Sequence, residues 1–236
     1  MYRYIKKEPE NNFSLRRFLK FLPLLTFIIG LAILFYAGWP LVSYQLEAKT
    51  RFQASSLIKP YFSLTHYSSN FVLEVGAKGE DLTQIKNWLP SGQRQSKDGR
   101  VDFYSLTIPS LGIFNARVKV DGKDLSNNLI HYGGTAYPGS FGNAVIFGHS
   151  TLPPLFDPQN YMTIFSTLPT LDYNDEILVK FDGISYRYCI EEMVEVEPED
   201  ISILEQHFDD SYLTLVTCVP PGTYLRRLIV RARLAK

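Results

Sequence analysis

Cysteine is scarce in this chain, with Cys189 and Cys218 the only two thiols among 236 residues. A disulfide framework is therefore excluded as the organising principle, and a single Cys189–Cys218 bridge is the one pairing left open. The CxxC and Cys/His spacings of zinc sites are missing, as is a glycine-rich phosphate loop. Neither a metal nor a cofactor is expected. Charge of one sign is lacking too: 24 Lys and Arg balance 24 Asp and Glu. Without a clustered basic footprint, nucleic acid is not an expected partner. There is no internal repeat and no low-complexity tract. Hydrophobic residues make up 45% of the chain, enough to bury the core of one large domain carrying an extension.

One long uncharged run is present. "FLPLLTFIIGLAILFYAGWPLV", residues 21–42, contains no Asp, Glu, Lys or Arg, and about 20 apolar residues suffice to span a bilayer as a helix. Lys6, Lys7, Arg16, Arg17 and Lys20 precede it, which the positive-inside rule assigns to the cytoplasm. Trp39 and Tyr44 fit aromatic anchors at the outer interface. A cleaved signal peptide would have a shorter apolar region, about 7–15 residues, and a small-x-small cleavage site that "FYAGWP" does not supply. The expected layout is a cytoplasmic tail over residues 1–20, a membrane anchor over 21–42, an extracellular lead-in or stalk over 43–100 and a main domain over 101–236.

The lead-in is polar and mixed. Pro60 breaks it, "EDLTQIKNWLP" reads as a short helix ended at Pro90, and "SGQRQSKDGR" is a loop. From Val101 onward the pattern becomes short β-type runs between turns. "FYSLTIPSLGIFNARVKV" gives two strands around Pro-Ser-Leu-Gly, followed by the turn "DGKD". "NAVIFGH" is another strand, and "EILVKFDGISYRYCIEEMVEVEP" folds around Asp-Gly. "PEDISILEQHF" is a helical turn, and "YLTLVTC" and "RRLIVRARL" are the last strands. Many short strands at this spacing predict a mainly β domain, a barrel or sandwich.

Strand alternation sends successive side chains to opposite faces. In the last strand Leu228, Val230, Ala232 and Leu234 share the apolar, core-directed face, with Arg226 at its fraying start. Arg227, Ile229, Arg231 and Arg233 take the outer face. In "YLTLVTC", Leu213, Leu215 and Thr217 oppose Tyr212, Thr214, Val216 and Cys218, so Cys218 belongs to the outer face. A free cysteine is usually a buried small hydrophobe, and Cys189 within "YRYCIEE" fits that description. Cys218 fits it less well, because it ends a strand, precedes "VPPGTY" and has Arg227 at hand from the next strand. Nearby positive charge favours the thiolate, which is the nucleophile, and a nucleophilic cysteine needs an acid/base partner, most often histidine. The four histidines are His66 in the lead-in, His131 in the loop "IHYGGTAYPG", His149 at the end of "NAVIFGH" and His207 after the helical turn. Position favours His149 modestly over His131.

"TLVTC" matches the TLxTC signature of the sortases, membrane-anchored cysteine transpeptidases of Gram-positive-type cell surfaces. "LTIPSLGI" resembles their first barrel strands, "HYGGTAYPGSFGNAVIFGHS" their histidine segment and "RLIVRA" their arginine strand, in the family's order His, Cys, Arg over residues 102–234. The resemblance implies an eight-stranded closed barrel with short helices and a surface groove. It further implies Cys218 as nucleophile, His149 as general acid/base, Arg227 as the substrate- and oxyanion-stabilising arginine and Thr217 as a residue that helps position the substrate carbonyl. The family's common "TALPGE" reads "TAYPGS" here, a departure that bears on subclass, which looks closest to classes D and E.

By the same resemblance the substrate is a surface protein with an LPxTG-type sorting signal, joined through a thioacyl intermediate to an amine from a lipid-linked cell-wall precursor or a pilin lysine. A monomer is expected. The proline- and aromatic-rich loop "STLPPLFDPQNYMTIF" is either a groove wall or an ordinary packed loop, and Asp172, Asp175 and Glu176 read as a solvated turn. A papain-like protease would place its cysteine before its histidine, and an L,D-transpeptidase would carry S-x-G-C. The reading from another class is a membrane-anchored, catalytically inactive β-barrel binding module or adhesin.

Overall fold

A computed structural model describes residues 13–51, 83–85, 88 and 101–236. The chain divides into two compact units, residues 1–43 and 44–236. The first is dominated by helix α1 (Phe13–Arg51), whose stretch Phe21–Trp39 has a mean hydropathy of 2.2 and none of its surface buried. By length and composition this helix is able to cross a membrane.

α1 runs past the apolar stretch, so the first residues of the lead-in are helical, and this end belongs to the second unit. Ala48 is buried in the barrel's core cluster. Tyr44, expected at a membrane interface, instead donates its hydroxyl hydrogen to Glu195. Arg51 lies 3.7 Å from Asp172 and donates to the Pro169 carbonyl. In the stretch expected to be a short helix, Gln84 forms a β-bridge with Asp124, and the Leu125 N–H donates to the Thr83 carbonyl. Pro60, Pro90 and His66 lie outside the described residues.

The second unit is a closed barrel of eight strands: β1 (Phe103–Ile108), β2 (Ile113–Val120), β3 (Leu129–His131), β4 (Gly142–Phe147), β5 (Glu176–Phe181), β6 (Ile184–Val196), β7 (Ser211–Val219) and β8 (Arg226–Leu234). Around the barrel they run β1-β2-β3-β4-β7-β8-β6-β5. Two pairs are parallel, β2 with β3 and β4 with β7; the rest are antiparallel. The β5–β6 hairpin turns at Asp182 (φ 49°) and Gly183 (φ 78°), the doubly positive pattern that Asp-Gly favours in a tight hairpin. The Pro-Ser-Leu-Gly turn is a 3-10 turn at Pro109–Leu111 closed by Gly112 at φ 67°. Another short 3-10 helix, Ile201–Leu204, is capped by the Asp200 carboxylate, which accepts from the Ser202 N–H.

Alternation along the strands builds two apolar layers. Leu106, Val118, Leu129, Ile146, Leu213, Leu215, Leu228 and Val230 fill the barrel interior. Ile130, Val145, Phe147, Val216, Cys218 and Ile229 form an outer layer on the same strands, covered by Ile85, Trp88, Leu125 and Ile203. Burying each of these large side chains contributes roughly 1.5–3 kcal/mol. β4 and β7 are consequently buried on both faces. His131, expected in a loop, ends β3 and is buried, with Tyr104 and Thr135 hydroxyls on its two ring nitrogens. Burial pushes its pKa down to about 4, a Thr135 hydrogen bond opposing the shift. Its polar atoms serve the interior.

Candidate active site

The site grows out of the outer layer, where three neighbouring strands end. Val145 and Phe147 occupy the outer face of β4, so continuing the alternation places His149 on that side. By the same count Cys218 follows Val216 on β7, and Arg227 precedes Ile229 on β8. Cys218 and Arg227 are direct cross-strand partners. The Arg227 Nη1–H points at the Cys218 Sγ over 3.2 Å. Arg227 is 4% exposed, and its Nε is buried without a hydrogen-bond partner. That leaves a guanidinium donor free to meet an anion at the sulfur. Both cysteines are free thiols, so the bridge left open by the sequence is not formed.

The Gly-His element is held from two sides. The Phe165 N–H donates to the His149 carbonyl over 3.0 Å. At Gly148 a Cβ would come within 2.4 Å of the Phe165 ring, so only glycine admits this approach. The loop following His149 is therefore partly core: Ile164, Phe165 and Leu168 belong to the interior layer, while Leu155 stays exposed. Leu152 of this loop packs against Gly222 in the turn after Cys218. Thr217 is fully buried, and its hydroxyl donates to the Gly148 carbonyl over 2.8 Å.

Trp88, from the stretch before the barrel, covers the arrangement. Its ring lies edge-on to His149 at 5.6 Å, with the Arg227 guanidinium carbon 4.8 Å from its centroid. Phe147 completes the contact at 5.8 Å. Cys218, in the same outer layer, is 1% exposed and His149 6%. Where the family resemblance implies a surface groove, the indole packs on His149 and Arg227, and Cys218 is buried. The pattern "EDLTQIKNWLP" predicts Trp88 near the end of a helix; a tryptophan, one of only two in the chain, in a polar segment is the signal that points elsewhere.

Electrostatics follow from this burial. Desolvation raises the Cys218 pKa to about 11, and the Arg227 charge pulls it back only in part. The buried thiol is protonated at neutral pH. Asp124, the β-bridge partner of Gln84, is held below the usual carboxylate range chiefly by the Ser126 hydroxyl and N–H, with the His149 charge a lesser cause. His207 is exposed against the Tyr212 ring. In the acidic turn the Asp175 carboxylate accepts from the Asp172 N–H, and Glu176 pairs with Arg187. Among the described residues no group of three or more His, Cys, Asp or Glu is arranged to hold a metal.

A family model described as the sortase domain matches residues 106–235, more than half of the chain. Among solved structures, a lid mutant of sortase A from Corynebacterium diphtheriae is 28% identical with a TM-score of 0.50, over 59% of this chain and 73% of the other. A sortase D5 transpeptidase from Clostridium perfringens is 28% identical with a TM-score of 0.49, over 60% of this chain and 83% of the other. A pilus-related sortase C of Group B Streptococcus is 24% identical with a TM-score of 0.50, over 59% and 70%. No protein of curated function matches the chain in sequence.

Proposed function

Since this chain belongs to the sortase family, we propose that Cys218, His149 and Arg227 carry out its cysteine transpeptidation on an LPxTG-like sorting signal. The observation that carries this reading is the Arg227–Cys218 contact of 3.2 Å on the outer face of two paired strands. The Cys218 thiol passes its proton to the His149 imidazole, and the resulting thiolate attacks the carbonyl carbon of the threonine–glycine bond. Arg227 donates hydrogen bonds to the oxyanion, a stabilisation worth about 3–4 kcal/mol. The His149 imidazolium protonates the departing amine as the C–N bond breaks, leaving a thioester on Cys218. The His149 imidazole then deprotonates an incoming amine, which attacks the thioester and releases the thiol. Thr217 acts on the substrate carbonyl's position through the backbone it fixes, since its hydroxyl hydrogen is committed to Gly148.

Trp88 must leave before a peptide reaches the site, and it serves as a cover that opens for substrate. The apolar stretch Phe21–Trp39 anchors the enzyme. The basic residues before it stay in the cytoplasm and residues 101–236 face outward as the catalytic domain, behind a lead-in over 43–100. Tethering raises the effective concentration of membrane-bound donors and acceptors. The acceptor amine comes from a lipid-linked cell-wall precursor or a pilin lysine.

The test incubates the full chain in detergent with LPxTG-type peptides and an amine and reads intact mass. A thioacyl adduct on Cys218, resolved by the amine and absent in Cys218→Ala, is expected. A Cys218 that forms no adduct with any peptide in the Trp88→Ala protein would overturn the enzyme reading in favour of an inactive binding module.

A further inference from the structure

The strands bearing His149 and Cys218 run parallel, and their regular register ends at Phe147 opposite Val216. Each reactive residue lies two positions beyond that last pair. One backbone bond continues the ladder, from the Gly148 N–H to the Val216 carbonyl at 3.1 Å. Past it two side-chain hydroxyls take over. Thr217 Oγ1 donates to the Gly148 carbonyl at 2.8 Å, and Ser150 Oγ donates to the Cys218 carbonyl at 2.6 Å. Both bonds are buried, with Thr217 at 0% and Ser150 at 7% exposure. The hydroxyls come from opposite strands. Thr217 adjoins the sulfur-bearing residue and grips the residue before His149; Ser150 adjoins His149 and grips the residue that bears the sulfur.

We infer that Ser150 is a positioning residue for the acid–base pair, acting with Thr217 as a two-hydroxyl latch that fixes the imidazole relative to the thiol. The inference rests on the roles proposed above for His149 and Cys218. β8 still pairs with β7 at Cys218 and Val219, but the β4–β7 pairing ends at Phe147 and Val216, so past that point only the Gly148–Val216 bond and the two hydroxyls tie the His149 segment to β7. Proton transfer depends steeply on separation, and a misplacement of about 1 Å can lower a rate on the order of 100-fold. Ser150 does not touch the reacting atoms: its hydroxyl is committed to a main-chain carbonyl. The next residue is fixed as well, since the Thr151 N–H donates to Ser166 Oγ at 2.8 Å, so the latch belongs to a rigid turn.

The test needs no peptide substrate. Full-length protein in detergent, in a Trp88→Ala background that uncovers the sulfur, is alkylated with iodoacetamide across pH 5–10, and Cys218 modification is separated from Cys189 by peptide mass. An imidazole in contact with the thiol gives a reactive limb below the ordinary thiol range, which His149→Ala removes. Ser150→Ala is expected to lower alkylation at pH 6.5 by about tenfold, moving the profile toward that of His149→Ala. Ser150→Thr, which keeps a hydroxyl, is expected to retain the parent profile. Thr217→Val, at the other end of the latch, is expected to act like Ser150→Ala, and it decides the question if Ser150→Ala does not fold by circular dichroism. Folded latch variants that superimpose on the parent while His149→Ala differs would overturn the latch alone. A His149→Ala profile identical to the parent would overturn the acid–base reading and the latch together.

Discussion

At one end of the β7–β8 ribbon Arg233 lies opposite Tyr212 and Arg231 opposite Thr214; at the other end Arg227 lies opposite Cys218. All three arginines sit on the outer face of one strand, yet they are used differently. Arg231 is paired with Glu192 at 2.9 Å and Arg233 with Glu191 at 3.0 Å. Arg227 has no carboxylate partner among the described residues, and its one hydrogen bond there goes to sulfur. The cause lies on β6. The residue in register with Arg231 is Glu192, but the one in register with Arg227 is Val196. The neighbouring acids, Glu195 and Glu197, pair with Arg226. A guanidinium whose charge is not already matched by a carboxylate remains available for an anion that appears during reaction.

The largest expected effect tests this contrast directly. Arg227→Ala should lower turnover by about 10²–10³-fold, the usual consequence of deleting an oxyanion donor. Arg231→Ala, two side-chain positions further along the same face, should leave turnover within about twofold, since its charge is already spent on Glu192. Steady-state kinetics on both variants separate a catalytic arginine from a structural one, and equal losses would erase the distinction between the two ends.

Val196→Glu should abolish the contrast by making the reactive end resemble the structural one. It sets a carboxylate in register with Arg227, and a close opposite charge then competes with the substrate oxyanion for the guanidinium. A loss of about 10²-fold in turnover is expected, while Val196→Gln, of similar size and uncharged, should lose far less. Comparable losses in the two variants would assign the effect to packing.

A further difference between the ends is burial. Arg233 is at the surface, whereas Arg227 lies against Trp88 and Cys218 beside it is buried. Trp88→Ala should let water reach the thiol and lower its pKa from about 11 toward the free value of about 8.5. At pH 8 the thiolate fraction, and with it the alkylation rate, should rise on the order of 100-fold. The stability consequence has a definite sign. A thiol whose pKa is raised in the folded state contributes stability that is full below its ordinary pKa and is lost as pH rises through about 11. The parent should therefore lose stability over that alkaline window more steeply than Trp88→Ala, as read by urea midpoints at pH 8 and 11. An unchanged alkylation rate in Trp88→Ala would show that something other than the indole shields the sulfur.

The local half of this picture was legible in the sequence. Alternation in "YLTLVTC" and "RRLIVRARL" assigned Cys218 and Arg227 to one outer face, because in a strand the side-chain direction is fixed by position alone. A mainly β domain, too, followed from short strands between turn residues, since Asp-Gly and Pro-Ser-Leu-Gly dictate their own backbone; its closure into a barrel rather than a sandwich came from the family resemblance. What failed was non-local. His131 read as a loop residue because "HYGG" is turn-like, but three residues of β3 are held as strand by pairing with both β2 and β4. Tyr44 read as an interface anchor, while its hydroxyl partner, Glu195, lies far along the chain. Trp88 packs on His149 and Arg227, and no local pattern announces which outer face a distant tryptophan will join. Ser150 escaped notice for a related reason: its role depends on a carbonyl of another strand.

The smallest expected effect lies at the structural end. Burial raises the Glu191 carboxyl above its ordinary value even with Arg233 beside it, while Glu191 raises Arg233. These directions disagree about the pair: the arginine's says that it stabilises, the carboxylate's that desolvation outweighs the attraction. The carboxylate is the better guide, because Glu191 is the more buried partner and bears the desolvation, whereas Arg233 is nearly half exposed and screened by water. The pair should therefore contribute little, within about 1 kcal/mol. Glu191→Gln should leave the thermal midpoint at pH 7 nearly unchanged and turnover intact. Arg233→Ala should lose slightly more, through its contacts with the Tyr212 ring and hydroxyl. A large loss of turnover in either variant would mean that the two ends of the ribbon are coupled, and that Arg227 owes its availability to the whole row of arginines rather than to Val196.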